Sequence, residues 1–320
     1  MRRFHIIIAV LAGTLLLSSC SKEEWRGVPD IGAERYPVQF LPYMERSRQT
    51  RAETGGAQEN PLGEGCSFNM KSYYNPDAAH SQVFYDCVEY HWDNSRYFVS
   101  SPTYYWPAYG TLDFYAVSPV SITPAKTMDV TVTDGKADLI AASAHGQTRG
   151  EAVNMVFGHK LTKISFSAAG TDPNVSYEIT SIKLEANSAA TFAYPDSDDG
   201  AGSWSDASAP VYYEYFAEGG KLVIPVTEES PIPVLPAEGL LMLIPLQTEV
   251  ELQVTYSVKY GDDQVVTTTK TVDISDSVPG KWGINNHVHY ILRITPDSTP
   301  IIFSASKEDW TDAGEHDVIL

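Results

Sequence analysis

Short runs rich in Val, Ile, Thr, Tyr and Phe follow one another along this chain, and Pro or Gly closes many of them. No stretch of useful length carries the i, i+3, i+4 apolar spacing of an amphipathic helix. A chain written this way has to bury its apolar surface between sheets. Early runs are Val83-Phe84-Tyr85, Tyr97-Phe98-Val99 and residues 112–117, with Pro102, Pro107, Gly110, Pro119 and Pro124 as punctuation. Residues 138–142 are a short further element, and residues 153–157 and 161–168 form the strongest apolar segment after the N-terminus, interrupted at Gly158-His159-Lys160. Later strands are expected at 179–185, 211–216, 222–226, 240–245, 249–260, 265–274, 287–294 and 301–305. Gly261-Asp262-Asp263 reads as a hairpin turn. Strands spaced by roughly 8–12 residues indicate β-sandwiches. The length and the break near Gly158 divide them into two domains, 36–158 and 159–320, each able to close its own core.

The N-terminus has another character. Arg2 and Arg3 precede an apolar run from Ile6 to Leu17, which is too short for a permanent membrane helix of about 20 residues. Leu17-Ser18-Ser19-Cys20 follows, and it resembles a bacterial lipobox. Residues 1–19 are therefore expected to be a lipoprotein signal peptide, with Cys20 acylated and residues 20–35 forming a tether. Several acyl chains, at about 0.8 kcal/mol per buried CH2, hold a protein on a membrane almost permanently. Ser21-Lys22-Glu23-Glu24 reads as a solvated tether, and also resembles the acidic signal that sends lipoproteins of some Gram-negative anaerobes to the outer face of the outer membrane.

Charge narrows the partners. Without Arg2 and Arg3 the 22 basic residues fall to 20 against 41 acidic ones, a formal balance of −21. Such a surface repels phosphate backbones, so no nucleic acid is expected. Tyr outnumbers Phe, 19 to 11, which suits half-wet strands. Cys66 and Cys87 remain after Cys20. They form a disulfide, which export permits, or stay as two buried thiols.

Catalytic patterns are absent: there is no G-x-S-x-G, H-E-x-x-H, Walker A or G-x-G-x-x-G. His287 and His289 share one face of an expected strand but lack an evident third ligand, so they read as surface or packing residues. Asp196-Ser197-Asp198-Asp199-Gly200 looks like a calcium loop, yet Ala207 stands where the bidentate Glu belongs. Trp92 and Trp106 read as core or edge packing. Asp276-Ser277-Val278 and Asp297-Ser298-Thr299 match a loose O-glycosylation pattern. No metal and no cofactor are expected.

Several short motifs occur in a telling order: Cys20 with its lipobox, Thr50-Arg51-Ala52, Tyr109-Gly110 with 112–116, Asp138-Leu139, residues 156–164 around His159, Trp282 with Asn285 and Tyr290, and Trp310. In that order the chain resembles the fimbrillin family, specifically its minor-fimbrillin-like surface lipoproteins. The resemblance implies two tandem Greek-key β-sandwiches of transthyretin-like topology, surface export and assembly into type V pili as stalk, anchor or tip. His159 is implied as a structural position. The expected partners are other fimbrillin subunits, head to tail, and a host or bacterial surface ligand. The alternative is a surface glycan-binding lipoprotein of an uptake system. An exported hydrolase is a third reading, with no catalytic set to carry it.

Residues 36–41 place Tyr36, Val38 and Phe40 on one face of a first strand, which Pro37 suggests is an edge strand. A polar, Gly-rich loop with Arg46, Arg48 and Arg51 follows. By resemblance it is cut by an arginine-directed protease, with Arg51 preferred, and the first strand then leaves. Residues 301–305, or 317–320, of a neighbour would fill the groove. The anchor is tested separately: Cys20→Ala is expected to abolish labelling by fatty-acid analogues, and retained labelling would remove the lipid from the scheme. Alanine at Lys22, Glu23 and Glu24 is expected to preserve acylation but lower protease accessibility on whole cells.

Overall fold

The structure, a computed structural model, describes residues 35–44, 62, 65–94, 96–198, 200–217, 219–226, 230–236, 239–261, 264–278, 282–296 and 301–309. The strands of the first half are β1 (Phe40–Met44), β2 (Phe68–Asp77), β3 (His80–Trp92), β4 (Phe98–Ser100), β5 (Thr111–Ser118), β6 (Thr127–Thr131), β7 (Ile140–Gln147) and β8 (Val153–His159). Those of the second are β9 (Thr162–Gly170), β10 (Val175–Ala193), β11 (Ser203–Phe216), β12 (Leu222–Ile224), β13 (Ile232–Val234), β14 (Leu241–Leu243), β15 (Glu251–Tyr260), β16 (Gln264–Asp273), β17 (Asn286–Ile294) and β18 (Ile302–Asp309). A 3-10 turn at Ser275–Ser277 is the one helical piece among the described residues. The all-β expectation holds.

In the first half the hydrogen-bonded order β1-β4-β3-β2-β5-β7-β8 returns to β1, so the sheet closes as a barrel. In the second half one sheet runs β11-β10-β15-β16, with β6 and β12 also paired to β10. The other runs β13-β9-β17-β18, with β14 also on β9. Inward residues of the two sheets, such as Ile182, Leu184 and Val254 against Ile164, Tyr290 and Leu292, share one core. A separate cluster of Phe40, Phe68, Tyr90, Phe98, Phe114 and Phe157 fills the barrel.

Alternation along β5 explains how the two cores meet. Leu112, Phe114 and Ala116 point into the barrel, while Tyr115 and Val117 join the second core. Strand β7 does the same, with Ile140, Ala142 and Ala144 on one side and Ala141 on the other. A strand buried on both faces reads as a continuous apolar run, as residues 112–117 do. β6 belongs by sequence to the first half, yet it pairs with β10 and buries Met128 and Val130 in the second core. The break in the apolar segment falls at Lys160-Leu161, since β8 continues through His159.

Three expectations needed revision. β1 is not an edge strand: it pairs with β4 on one side and β8 on the other. Pro37 lies before it, in a bridge opposite Tyr105 whose hydrogen bonds are made by its neighbours, Val38 N to Tyr104 O (2.8 Å) and Trp106 N to Tyr36 O (2.9 Å). The N–H that proline lacks is not needed there. Cys66 and Cys87 are not joined: Cys66 is in thiol form, its Sγ 3.5 Å from Ser118 Oγ. It is also only half-buried, so the reading of two buried thiols fails for it as well. β10 spans 19 residues rather than the expected seven. Its inward side runs on through Ala186, Ser188 and Ala190 before reaching Phe192, and those three are too small to register as an apolar alternation.

Tyrosine hydroxyls fasten the interior. Tyr213 donates to Val132 O (2.9 Å), Tyr215 to Val234 O (2.8 Å) and Tyr194 to Ala116 O (2.8 Å). Burial pushes the Tyr213 hydroxyl up to about 12. Burial, then the nearby Asp113 charge, pushes Tyr115 up to about 12 as well. A folded pKa above the unfolded value of about 10 gives stability that is complete below that value and lost as pH climbs through the folded one. Urea midpoints are therefore expected to hold steady at neutral pH and to fall from about pH 10 upward. A midpoint that stayed flat through about pH 12 would contradict this reading.

Candidate functional site

The site is built from the first strand and the last. Residues 38–42 run between β4 and β8, with Val38, Phe40 and Pro42 turned inward and Gln39 and Leu41 outward. Phe40 is fully buried in an aromatic box. Its ring meets Tyr90 at 4.8 Å, Phe114 at 4.9 Å and Phe68 at 6.1 Å, all edge to face, the arrangement that ring quadrupoles favour. Parallel pairing with β8 runs from Phe40 opposite Val153 to Met44 opposite Phe157. Gln39 O accepts from Val153 N (2.9 Å), which sets the phase of the ladder. Alternate residues bond to each neighbour, so Leu41 and Tyr43 serve β8 and the nitrogen of Pro42 turns away. Pairing with β4 is confined to Phe40 opposite Phe98, so Pro42 interrupts no ladder. At the strand's start the Arg149 guanidinium sits 4.6 Å from the Tyr36 ring centre, and Arg35 lies 5.6 Å from that of Tyr105.

The chain leaves the barrel at Met44. Arg46, Arg48, Arg51 and the Thr50-Arg51-Ala52 motif come directly after it in sequence and lie outside the described residues, as do Cys20, residues 1–34, Asp297-Ser298-Thr299, Trp310 and residues 317–320.

The last described strand, β18, pairs with β17 alone, from Arg293 opposite Ile302 to Asn286 opposite Asp309. It forms an outer edge of its sheet. Ile301, just before it, is 3% exposed.

Other motif residues have structural work. Gly110 has φ +77°, and a Cβ there would lie 2.6 Å from Asn75 O, so the turn demands glycine. Asp113 accepts from Asn75 Nδ2 (3.0 Å) and Gly146 N (2.7 Å), tying the ends of β2 and β7 to β5. His159 Nδ1 lies 2.6 Å from Asp138 Oδ2, while Asp138 Oδ1 accepts from Leu139 N. Buried Lys160 donates to Ala201 O (3.3 Å), and its own carbonyl accepts from Trp204 Nε1 (2.9 Å). Trp282 Nε1 donates to Tyr290 OH (2.9 Å), which also meets Ser277 Oγ at 2.8 Å. His287 Nε2 and His289 Nδ1 converge on Ser165 Oγ at 2.7 and 2.8 Å, a partner on β9 that no sequence spacing announces. Asp198, from the calcium-like loop, accepts from His145 N (2.8 Å) and joins the two halves. Trp106 is core, as expected, and Trp92 is half-buried against Phe98.

Residues 50–310 match the family described as fimbrillin-like. The chain belongs to the fimbrillin-like family. No curated protein matches the sequence. Among solved structures, a fimbrial protein from Bacteroides vulgatus superposes with a TM-score of 0.61 at 16% identity, covering 87% of this chain and all of that one. A protein from Parabacteroides distasonis, assigned to cell adhesion, gives a TM-score of 0.53 at 9% identity over 88% of this chain and 98% of the other. At these identities the likeness is one of fold.

Phe40 carries the slot of this fimbrillin-like protein. Phe40→Ala is expected to cost about 3–5 kcal/mol of barrel stability, the usual loss for a large aromatic in a closed core. Urea unfolding followed by tryptophan fluorescence measures it. A loss below about 1 kcal/mol would mean the box collapses freely around the gap and holds β1 by backbone bonds alone.

Proposed function

We propose that this protein is a structural or adhesive subunit of cell-surface fimbriae of the type V kind. It is exported as a lipoprotein on Cys20 and held on the outer membrane, facing outward. Assembly proceeds by strand exchange. An arginine-directed cut at Arg51, or at Arg46 or Arg48, severs the segment after Met44; β1 then leaves, and the C-terminal region of a neighbour takes its place. The observation that carries this reading is the placement of β1. It bonds on both edges and fills an aromatic box, yet only its C-terminal end connects it to the rest of the described fold. Removing it would leave unpaired N–H and C=O groups on β4 and β8 beside an apolar trough. A donated strand would restore both kinds of contact. Donor and acceptor surfaces differ, so the contact propagates as an open filament. Family membership and the likeness to a fimbrial protein support the same reading.

We read the chain as two units, 36–158 and 159–320, with β6 lent to the second; the two hydrophobic clusters support that division. The glycan-binding alternative calls for a row of exposed aromatic residues. Exposed Tyr36, Tyr109 and Tyr212 lie on three separate segments. For a hydrolase, two close carboxylates would have to face a groove. Asp134 and Asp138 line a groove of roughly 230 Å3, but Asp134 accepts from Lys136 N and Asp138 is engaged by His159 Nδ1 and Leu139 N. The roughly 540 Å3 groove along 121–131 carries Asp129 as its one ionisable group, and Asp129 is bonded to Thr191 Oγ1. Treatment with an Arg-specific protease is expected to give SDS-resistant ladders from the parent protein and far fewer from Arg51→Ala. A chain truncated after Pro300 is expected to stay monomeric. Cut parent protein that never assembles, its C-terminus intact, would exclude a stalk role.

A further inference from the structure

We propose that His287 and His289 of β17, together with Ser165 of β9, form a binding site for one divalent late transition metal ion: Cu2+, Ni2+ or Zn2+. The site is independent of the strand-exchange reading and lies in the second half of the chain.

Strand β17 sends Val288, Tyr290 and Leu292 to the core and His287 and His289 to the opposite face. Its parallel pairing with β9 sets His289 beside Ser165 and His287 beside Lys163. His287 therefore reaches diagonally across the ladder to bring Nε2 within 2.7 Å of Ser165 Oγ, and His289 Nδ1 lies 2.8 Å from the same oxygen. A serine hydroxyl owns one proton, so it donates to one ring only, and the other ring must donate its own N–H to the oxygen. If that second ring holds its proton on its other nitrogen instead, two imidazole lone pairs face one point. A single hydroxyl proton cannot satisfy both of them, whereas a metal cation can. Imidazole nitrogen binds Zn2+ at about 2.0–2.1 Å. That is shorter than either contact to Ser165, so an ion fits between the nitrogens after a small inward turn of the rings. The Ser165 oxygen then stands as a third, neutral ligand. Among the described residues no third His, Cys, Asp or Glu joins the group, so water fills the remaining positions. Ser165 is 7% exposed, while the two rings are half-buried and within reach of solvent. The donors decide the class of cation. Ca2+ and Mg2+ call for carboxylate oxygens, and Lys163 beside His287 adds a positive charge that disfavours an ion held by charge alone. Imidazole suits Cu2+, Ni2+ and Zn2+.

The test uses the full protein without an affinity tag, stripped with EDTA. Zn2+ or Ni2+ alone is titrated in by calorimetry, and Cu2+ is added for electron paramagnetic resonance. The expected result is one ion per chain, with affinity lowered at least tenfold by His287→Ala and, separately, by His289→Ala. Copper is expected to show coupling to two nitrogens in the parent and to one in either variant. His80→Ala and His91→Ala are expected to leave the affinity unchanged, and Ca2+ and Mg2+ to give no binding heat. A parent that binds none of the three metals, or binds them equally well after both histidine substitutions, overturns the site. Loss with only one of the two substitutions shows a single ring binding and overturns the paired arrangement. Ser165→Ala is expected to weaken binding at least threefold while the two-nitrogen pattern remains, and Ser165→Thr to restore it; an unchanged affinity in Ser165→Ala overturns the role of the hydroxyl. Glutamine in place of either histidine keeps a polar side chain without the imidazole and is expected to lower affinity as alanine does. A circular dichroism spectrum matching the parent's separates these losses from misfolding.

Discussion

A strand inside a sheet has to satisfy its backbone on both edges, and β1 does this between neighbours that come from distant parts of the sequence. Everything in the first half depends on that closure. With β1 in place the seven-stranded sheet has no open edge, and the Phe40 ring completes a box whose other walls come from β2, β3 and β5. Full closure is the one arrangement that removes edges outright. The second half keeps its edges, at β11 and β16 of one sheet and at β13 and β18 of the other among the described strands. Among the described residues, a closed barrel is thus paired with two open sheets, and the last described strand, β18, lies at the outer edge of one of them.

The two hydrophobic clusters meet at shared walls. β5 and β7 are buried on both faces, and the contacts between the halves are specific: Tyr194 to Ala116 O and Asp198 to His145. The Tyr115 ring meets Tyr194 edge to face at 5.2 Å. Tyrosine fits such places because its body is apolar and its tip needs a partner. Carbonyls at strand ends and loops supply those partners, which accounts for a composition richer in Tyr than in Phe.

The motif residues divide on physical grounds. Gly110, Asp113, Asp138, His159, Trp282 and Tyr290 hold turns, strand ends and buried hydroxyls in place. Their roles are local and polar, which is why they stand out in a sequence of interchangeable Val, Ile and Thr. The first strand is held by ordinary core residues, Val38, Phe40 and Pro42, and these do not stand out from the many other apolar residues of the sequence.

Strand after strand was legible in the sequence because period-two alternation and turn residues are local signals, and β3, β5, β8, β15, β16 and β17 lie where those signals put them. Family order was legible too, since polar residues at turns and pairs keep their spacing whatever the core does. The pairing was not. A parallel neighbour such as β8 for β1 leaves no trace in the spacing of either strand, and β6 carries nothing to say that its ladder belongs to β10. The far half of β10 and the Ser165 partner of two histidines were hidden for the same reason: small and hydroxyl side chains become meaningful only beside what packs on them. The sequence by itself determined that the chain is all-β and where many of its strands run. Tertiary structure alone decided which strand closes the barrel, because that choice is made by backbone hydrogen bonds between segments about a hundred residues apart, and every residue owns the same backbone.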